Sequence, residues 1–154
     1  MIRVLIVCLG NICRSPAAEA ALRRKAQERG AAIEVCSAGI GGWHQGKGAD
    51  GRMVRAAAAR GYLLDRHRAR QVEFSDFYEF DYILAMDGKN LSDLLGMAPA
   101  NRECDIRLFL EFADTHTRET PDPYYGGAEG FERVLDLVET GADAFLDHIQ
   151  KTQG

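Results

Sequence analysis

The feature that most constrains this chain is the apolar run near its start, which ends in a cysteine. Residues 3–8 (RVLIVC) are short, β-branched and apolar on both faces, which is typical of a strand buried within a parallel sheet. A helical pattern follows over residues 16–29, with Pro16 in its first turn and Gly30 at its end. A buried strand that leads directly into a helix predicts a β–loop–α unit at the N-terminus.

Strand and helix patterns alternate along the rest of the chain. Further short strands are predicted over residues 33–37, 81–86 and within 106–112. Further helices are predicted over residues 52–60 and 89–95, and from Phe131 towards the C-terminus. This alternation predicts an α/β fold, with a four-stranded, mostly parallel sheet and helices on both faces, in a single domain over residues 1–154.

Composition narrows the possible functions. The formal net charge of −4 argues against a broad nucleic-acid interface, and no apolar run approaches the roughly 20 residues of a membrane span. We therefore expect no nucleic-acid partner, no membrane insertion, and a protein that is monomeric or weakly self-associating. The N-terminus lacks a signal-peptide pattern and the four cysteines show no secreted-type framework, which together predict a cytoplasmic protein with reduced thiols.

The loop between the first strand and the first helix combines groups that bind a tetrahedral anion. Ligands of parallel sheets bind beyond the carboxyl ends of the strands, which is where Cys8 lies. Gly10 and Asn11 tolerate left-handed conformations, so successive backbone N–H groups can point inwards beside the helix N-terminus. Arg14 can hold two anion oxygens. We call residues 8–15 the anion loop, and we expect it to bind phosphate through Leu9, Gly10, Asn11, Ile12, Cys13, Arg14 and Ser15.

Each residue of this loop has an ordinary structural explanation when it is taken alone. A cysteine at a strand end is more often a packing residue, and Ser15 could cap the helix instead of donating a hydrogen bond to the Cys8 sulfur. The combination within eight residues favours an anion site in which Cys8 is a thiolate and an in-line nucleophile. For Ser15 we favour the contact with the sulfur.

The pattern C-x5-R-S at residues 8–15 resembles the N-terminal motif of the low-molecular-weight protein tyrosine phosphatases. The segments CSAG, RARQV, FDYILAMD and DPYYGG follow in the order which that family leads one to expect, so the resemblance spans essentially the whole chain. It implies a Rossmann-like fold of the phosphotyrosine phosphatase I type. It also implies hydrolysis of phosphotyrosine in partner proteins, and of small aryl phosphates, without a metal or other cofactor.

The resemblance implies a two-step mechanism. Cys8 attacks phosphorus to form a phosphocysteine, while Arg14 and the loop amides hold the phosphate oxygens. Asp122, within TPDPYY, matches the family's general acid, which protonates the leaving phenolate and then activates water. The catalytic residues implied are thus Cys8, Arg14 and Asp122.

Other matches concern the surroundings of the anion loop. The residues that match the supporting polar network are Asn11, Ser15, Ser37 and His67. The residues expected to form the slot for the phenyl ring are Ile12, Trp43, Tyr124 and, as a support, Tyr125. Asp87 is a candidate supporting carboxylate, and His44 receives no assigned role.

The resemblance also implies a redox role for Cys13. In the family such a neighbour can form a disulfide with the nucleophile, here Cys8, which keeps oxidation reversible. The alternative is that Cys13 is a small side chain packed in the core. Cys36 and Cys104 are expected to be packing thiols.

Three other functions share part of this sequence pattern. Arsenate reductases use a similar loop but need additional redox cysteines, and Cys36 and Cys104 have no obvious partner in the sequence. In protein arginine phosphatases a threonine tends to replace Ile12, so Ile12 favours an aromatic ester. The segment GGWHQGKG imitates a nucleotide phosphate loop, but Gly48 stands where Ser or Thr should bind magnesium.

Overall fold

A computed structural model of the chain describes residues 1–124 and 126–153. The elements are the strands and helices β1 (Ile2–Cys8), α1 (Arg14–Arg29), β2 (Ile33–Gly39), α2 (Gly51–Ala58), α3 (Asp76–Glu79), β3 (Tyr82–Ala85), α4 (Gly88–Met97), β4 (Asp105–Leu108) and α5 (Ala128–Gln153), with a 3-10 turn at Phe109–Phe112. The predicted α/β fold is confirmed.

The four strands form one sheet in the order β2-β1-β3-β4. All three pairings are parallel, so the sheet is parallel throughout rather than mostly parallel. β1 lies between β2 and β3, and residues Val4 to Val7 are fully buried, as the apolar run predicted. The register places Cys8 opposite Gly39, at the carboxyl edge of the sheet.

Alternate side chains of β1 enter two separate hydrophobic layers, because successive residues of a strand point to opposite faces. Val4 and Ile6 pack in one layer with residues of α1, α2 and α5. Leu5 and Val7 pack in the other with residues of α3 and α4, including Phe77 and Leu94. Helices therefore cover both faces of the sheet, and β1 is held in place from both sides.

Some element boundaries differ from those predicted. α1 begins at Arg14, two residues before Pro16, so that Pro16 lies inside the first turn. β2 continues to Gly39 because its pairing with β1 extends to Cys8. α5 begins at Ala128 rather than Phe131. The predicted end of α1 is confirmed, since Gly30 has φ 67° and caps the helix in the left-handed region.

α3 was not predicted, because four residues are too few for a periodic pattern. It helps to fix the segment before it. The Asp76 carboxylate pairs with Arg70 at 2.9 Å and accepts a hydrogen bond from the Glu73 N–H. The Arg70 carbonyl in turn accepts a hydrogen bond from the Gly39 N–H, which ties this segment to the end of β2.

None of the helices described here has the length and apolar character that crossing a membrane requires.

Candidate active site

The anion loop turns sharply between the carboxyl end of β1 and the start of α1. Asn11 has φ 59°, so it takes the left-handed conformation that the sequence predicted. Gly10, which also tolerates that conformation, does not adopt it. Gly39 packs directly against the loop: a Cβ there would lie 3.0 Å from the Leu9 carbonyl oxygen. The glycine at the end of β2 thus allows the loop to sit close to the sheet.

The fully buried side chain of Asn11 holds the loop to its surroundings. Its Oδ1 accepts a hydrogen bond from the Arg70 N–H at 3.0 Å. Its Nδ2 donates to Ser15 Oγ at 2.8 Å and to Ser37 Oγ at 3.0 Å. His67 Nε2 lies 2.7 Å from the Asn11 carbonyl oxygen. The structure therefore brings together all four residues predicted to support the loop.

Cys8 lies at the base of the loop and is 3% exposed. Its Sγ is 3.0 Å from Ser15 Oγ. Of the two alternative roles of Ser15, the structure shows the contact with the sulfur. The N-cap position of α1 is occupied by Cys13 instead.

Arg14 is the first residue of α1 and its guanidinium is almost fully buried. Its Nη1 donates to Asp87 Oδ2 at 2.6 Å and to the Thr120 carbonyl oxygen at 3.0 Å. Burial alone would lower the pKa of Arg14, but the nearby Cys8 sulfur and the Asp87 carboxylate outweigh burial and raise that pKa above its usual value. Arg14 is thus a fixed cation beside the sulfur.

Asp87, predicted as a supporting carboxylate, orients Arg14 while it caps a helix. One carboxylate oxygen receives Arg14, and the other accepts a hydrogen bond from the Asn90 N–H at 2.8 Å, at the N-terminus of α4. Because both oxygens are engaged, the carboxylate has little freedom to rotate. The position of the arginine is therefore set by the junction between β3 and α4.

Asp122 approaches the same arginine from another loop. Its Oδ2 lies 3.7 Å from Arg14 Nη2, and its side chain is 43% exposed. Its Oδ1 accepts a hydrogen bond from the Tyr124 N–H at 3.1 Å. The loop is anchored to the sheet where the Thr120 N–H donates to the Met86 carbonyl at 2.7 Å. The carboxylate therefore lies at the pocket, within reach of solvent.

These groups meet in a pocket of about 250 Å³. It is lined by Cys8, Leu9, Gly10, Ile12, Cys13, Arg14, Trp43, His44, Asp122 and Tyr124. Three of the predicted slot residues, Ile12, Trp43 and Tyr124, are among them, whereas Tyr125 lies outside the described residues. The Trp43 side chain is 66% exposed, and its ring lies against Gly41, where a Cβ would collide with it.

Cys13 also lines the pocket, and it is buried. Burial, and after it the negative charge of Cys8, raise the pKa of the Cys13 thiol well above its usual value. Cys13 therefore stays protonated at neutral pH. Each of the four cysteines, all within residues 1–124, carries a free thiol.

Two groups at the site were missed by the sequence analysis. One is the Thr120 carbonyl, whose contact with Arg14 joins residues far apart in the chain. The other is Glu19, whose Oε1 accepts a hydrogen bond from Ser37 Oγ at 2.5 Å. A signal for Glu19 was present, since Ser15, Glu19 and Arg23 follow one another at intervals of four residues within α1 and so share a helix face.

The described residues contain no group of three or more His, Cys, Asp or Glu side chains that could hold a metal ion. The positive charge at the pocket comes from Arg14, supplemented by the backbone amides of the loop and the N-terminus of α1.

Comparison with protein families matches residues 3–154 to the low molecular weight phosphotyrosine protein phosphatases. The chain belongs to this family. It is 44% identical to the low molecular weight protein-tyrosine-phosphatase YfkJ of Bacillus subtilis, with 98% of this chain and 97% of the relative covered. It is 41% identical to the low molecular weight protein-tyrosine-phosphatase of Streptomyces coelicolor, with 97% and 94% covered.

Solved structures of low-molecular-weight phosphatases share the fold. A protein tyrosine phosphatase from Entamoeba histolytica superposes with a TM-score of 0.95 at 39% identity, over 100% of both chains. A Drosophila arginine phosphatase superposes with a TM-score of 0.91 at 33% identity, over 96% of this chain and 98% of the other. The chain is thus a phosphatase of this family, and its relatives include an enzyme named for a different phosphorylated residue.

Proposed function

We propose that this protein hydrolyses phosphotyrosine in proteins, and small aryl phosphates, through a phosphocysteine intermediate. The observation that carries the proposal is the arrangement in one pocket of a buried cysteine sulfur, a fixed arginine and a reachable carboxylate. Arg14 Nη2 is 3.7 Å from Asp122 Oδ2, and both residues line the same pocket as Cys8.

In the first step the Cys8 sulfur attacks phosphorus in line with the bond to the phenol oxygen. The loop amides and Arg14 hold the three remaining phosphate oxygens and stabilise their charge. The phenolate must be expelled, and its conjugate acid has a pKa of about 10. Asp122 donates its proton to that oxygen as the bond to phosphorus breaks, and a phosphocysteine and a neutral phenol result.

In the second step water attacks the phosphocysteine. The Asp122 carboxylate, left ionised by the first step, takes a proton from that water. The sulfur leaves as a thiolate, and the Ser15 hydroxyl 3.0 Å away donates a hydrogen bond to it. Phosphate is released, and Asp122 again carries the proton needed for the next cycle.

An aromatic ester is favoured over a phosphorylated arginine by the slot. Trp43 and Tyr124 present aromatic rings at the pocket, and Ile12 presents an apolar branched side chain. Phosphoarginine is the second candidate, because the Drosophila arginine phosphatase superposes on nearly the whole chain. Arsenate reduction has less support, because that activity needs additional redox cysteines. Cys36 lies in β2 and Cys104 is buried beside β4, and burial raises the pKa of both thiols.

The test is a comparison of rates on peptides that carry phosphotyrosine, phosphoserine or phosphoarginine, in the presence of EDTA. We expect rapid turnover of phosphotyrosine alone. Faster turnover of phosphoarginine would indicate that phosphoarginine, and not phosphotyrosine, is the preferred substrate. Folded protein that turns over none of them, or that needs a divalent metal, would contradict the mechanism.

We further propose that oxidation inactivates the enzyme reversibly. Peroxide would oxidise Cys8 to a sulfenic acid, and the Cys13 thiol would then displace water from it to form a disulfide. Both residues line the same pocket. Phosphotyrosine-containing partners, a cytoplasmic location and a monomeric or weakly associating state stay predictions.

A further inference from the structure

A continuous chain of hydrogen bonds runs from the Cys8 sulfur to a glutamate one turn into α1. Its members are Cys8, Ser15, Asn11, Ser37 and Glu19, with successive distances of 3.0, 2.8, 3.0 and 2.5 Å. Hydroxyl groups can donate or accept, so the direction of each bond depends on groups at either end that can do only one of the two.

The orientation of Asn11 is fixed by a backbone donor. The Arg70 N–H can only donate, and it lies 3.0 Å from Asn11 Oδ1, so this atom is the amide oxygen. The other atom is therefore the amide nitrogen, which donates one hydrogen to Ser15 Oγ and the other to Ser37 Oγ. Both serines receive a hydrogen bond from Asn11.

The far end of the chain is fixed by a group that can only accept. Ser37 receives a hydrogen from Asn11 and gives its own to Glu19 Oε1 at 2.5 Å. The second oxygen, Glu19 Oε2, is held by Arg23 Nη2, which also donates to the Val35 carbonyl at 2.6 Å. The Glu19 side chain is 17% exposed, so the carboxylate is largely shielded from water and has fixed partners.

The same argument determines which group donates in the hydrogen bond between Ser15 and the Cys8 sulfur. Because Ser15 Oγ accepts from Asn11, its own hydrogen is available for the Cys8 sulfur at 3.0 Å. If Glu19 were absent, the Ser37 hydroxyl would lose its acceptor and could turn its hydrogen towards the Asn11 amide. The hydrogens would then collide, and Asn11 would shift away from Ser15.

We propose that Glu19 is a positioning residue, which orders this chain so that Ser15 donates to the Cys8 sulfur. It acts through Ser37 and Asn11 and does not touch the substrate. The inference rests on the proposed phosphocysteine mechanism, and it adds a residue in α1 that stabilises the thiolate through Ser15.

The test compares Glu19→Ala with Glu19→Gln. As a control we use Glu28→Ala, which removes an exposed glutamate from the same helix whose nearest cation, Arg24, is 3.9 Å away. For Glu19→Ala we expect kcat to fall about tenfold, the effect of weakening one hydrogen bond to a charged group, with KM little changed. Glu19→Gln keeps an acceptor for Ser37 and should retain most of the activity.

Two readouts separate positioning from a merely structural role. Because Glu19 acts on the sulfur, its loss should lower kcat equally for phenyl phosphate and for an ester with a better leaving group. Alkylation of Cys8 by iodoacetamide should also become slower at neutral pH. Alkylation needs no turnover, so it tests the role of Glu19 even if the wild-type protein hydrolyses no aryl phosphate. The absence of hydrolysis would count against the proposed function, and not against the role of Glu19.

A double-mutant cycle completes the test. Ser37→Ala breaks the same chain from the β2 side, so Glu19→Ala combined with Ser37→Ala should lose no more activity than either alone. Additive losses of activity in the double variant would overturn the inference. So would an alkylation rate and a kcat of Glu19→Ala that equal those of Glu28→Ala. If Glu19→Ala fails to fold, Ser37→Ala must give the same slower alkylation by itself, and unchanged alkylation in that variant would also overturn it.

Discussion

The pair formed by Arg14 and Asp87 gives the sharpest prediction about the pocket. Replacing Asp87 by alanine removes the 2.6 Å ion pair and leaves the buried guanidinium with the Thr120 carbonyl on Nη1. Removing one partner of a buried pair costs about 3–5 kcal/mol, and Asp87 lies below the middle of that range because its side chain is 24% exposed. The helix cap at Asn90 is lost as well, which costs about 1 kcal/mol. We therefore expect Asp87→Ala to lower the free energy of unfolding by about 4 kcal/mol.

Asparagine at the same position separates the two effects. Asn is a good N-cap, but its single amide oxygen cannot accept from both Asn90 and Arg14 as the two carboxylate oxygens do, and it has no charge. Asp87→Asn should therefore keep the capping contribution and lose about 1.5–3 kcal/mol, the usual value of a hydrogen bond to a charged group. Because Arg14 is then less firmly oriented towards the phosphate, kcat/KM should fall about tenfold, the consequence of about 1.4 kcal/mol lost from the transition state.

The assay is urea denaturation together with kcat/KM for phenyl phosphate. Asp93→Asn is the matched control, since Asp93 lies in the same helix and pairs with Lys89 at the surface, at 3.3 Å. Such exposed pairs contribute about 0–1 kcal/mol. If Asp87→Asn were indistinguishable from Asp93→Asn in both stability and activity, the argument that Asp87 orients Arg14 would be refuted.

Three further predictions concern other parts of the chain. Asp122→Ala should slow phenyl phosphate by about 10²–10⁴-fold and an ester with a good leaving group much less, and steady-state rates with equal losses would remove Asp122 as the acid. Cys13→Ser should make inactivation by peroxide harder to reverse with dithiothreitol; unchanged recovery would contradict the disulfide. Burial and the hydrogen bond to Glu139 raise the pKa of Tyr62 to about 12. The folded state thus holds this proton more tightly, so stability should fall between about pH 10 and 12. Urea titrations should show a smaller fall in Tyr62→Phe, and an equal fall would rule Tyr62 out.

The sequence predicted the parts of the fold that depend on local patterns. The two-sided apolar character of residues 3–8 identified the buried strand β1, and Gly30 identified the end of α1. The start of α1 at Arg14 differs from the predicted start at Pro16, because a proline that suits a first turn can be the third residue of the helix as well as the first. Boundaries of this kind depend on how the loop closes over the sheet, which a local pattern does not contain.

The same distinction between local patterns and long-range contacts applies to the residues of the pocket. The residues of the anion loop follow from one short motif, so they could be predicted from the sequence. Asp87, by contrast, was a candidate only because it follows a predicted strand, and its contact with Arg14 spans 73 positions. Glu19 was missed because its link to the loop passes through Ser37, on another strand. Contacts between distant segments are decided by the strand order, which the sequence alone did not predict.

The central claim is that the Cys8 sulfur carries the phosphoryl group during turnover. The most direct measurement is acid quenching of the enzyme within its first turnovers of an aryl phosphate, followed by mass spectrometry of the peptide containing residues 8–15. We predict one added phosphoryl group on Cys8, which is lost in Cys8→Ser and accumulates when Asp122 no longer activates water. Turnover without a phosphorylated Cys8, at quench times that capture the steady state, would contradict the account.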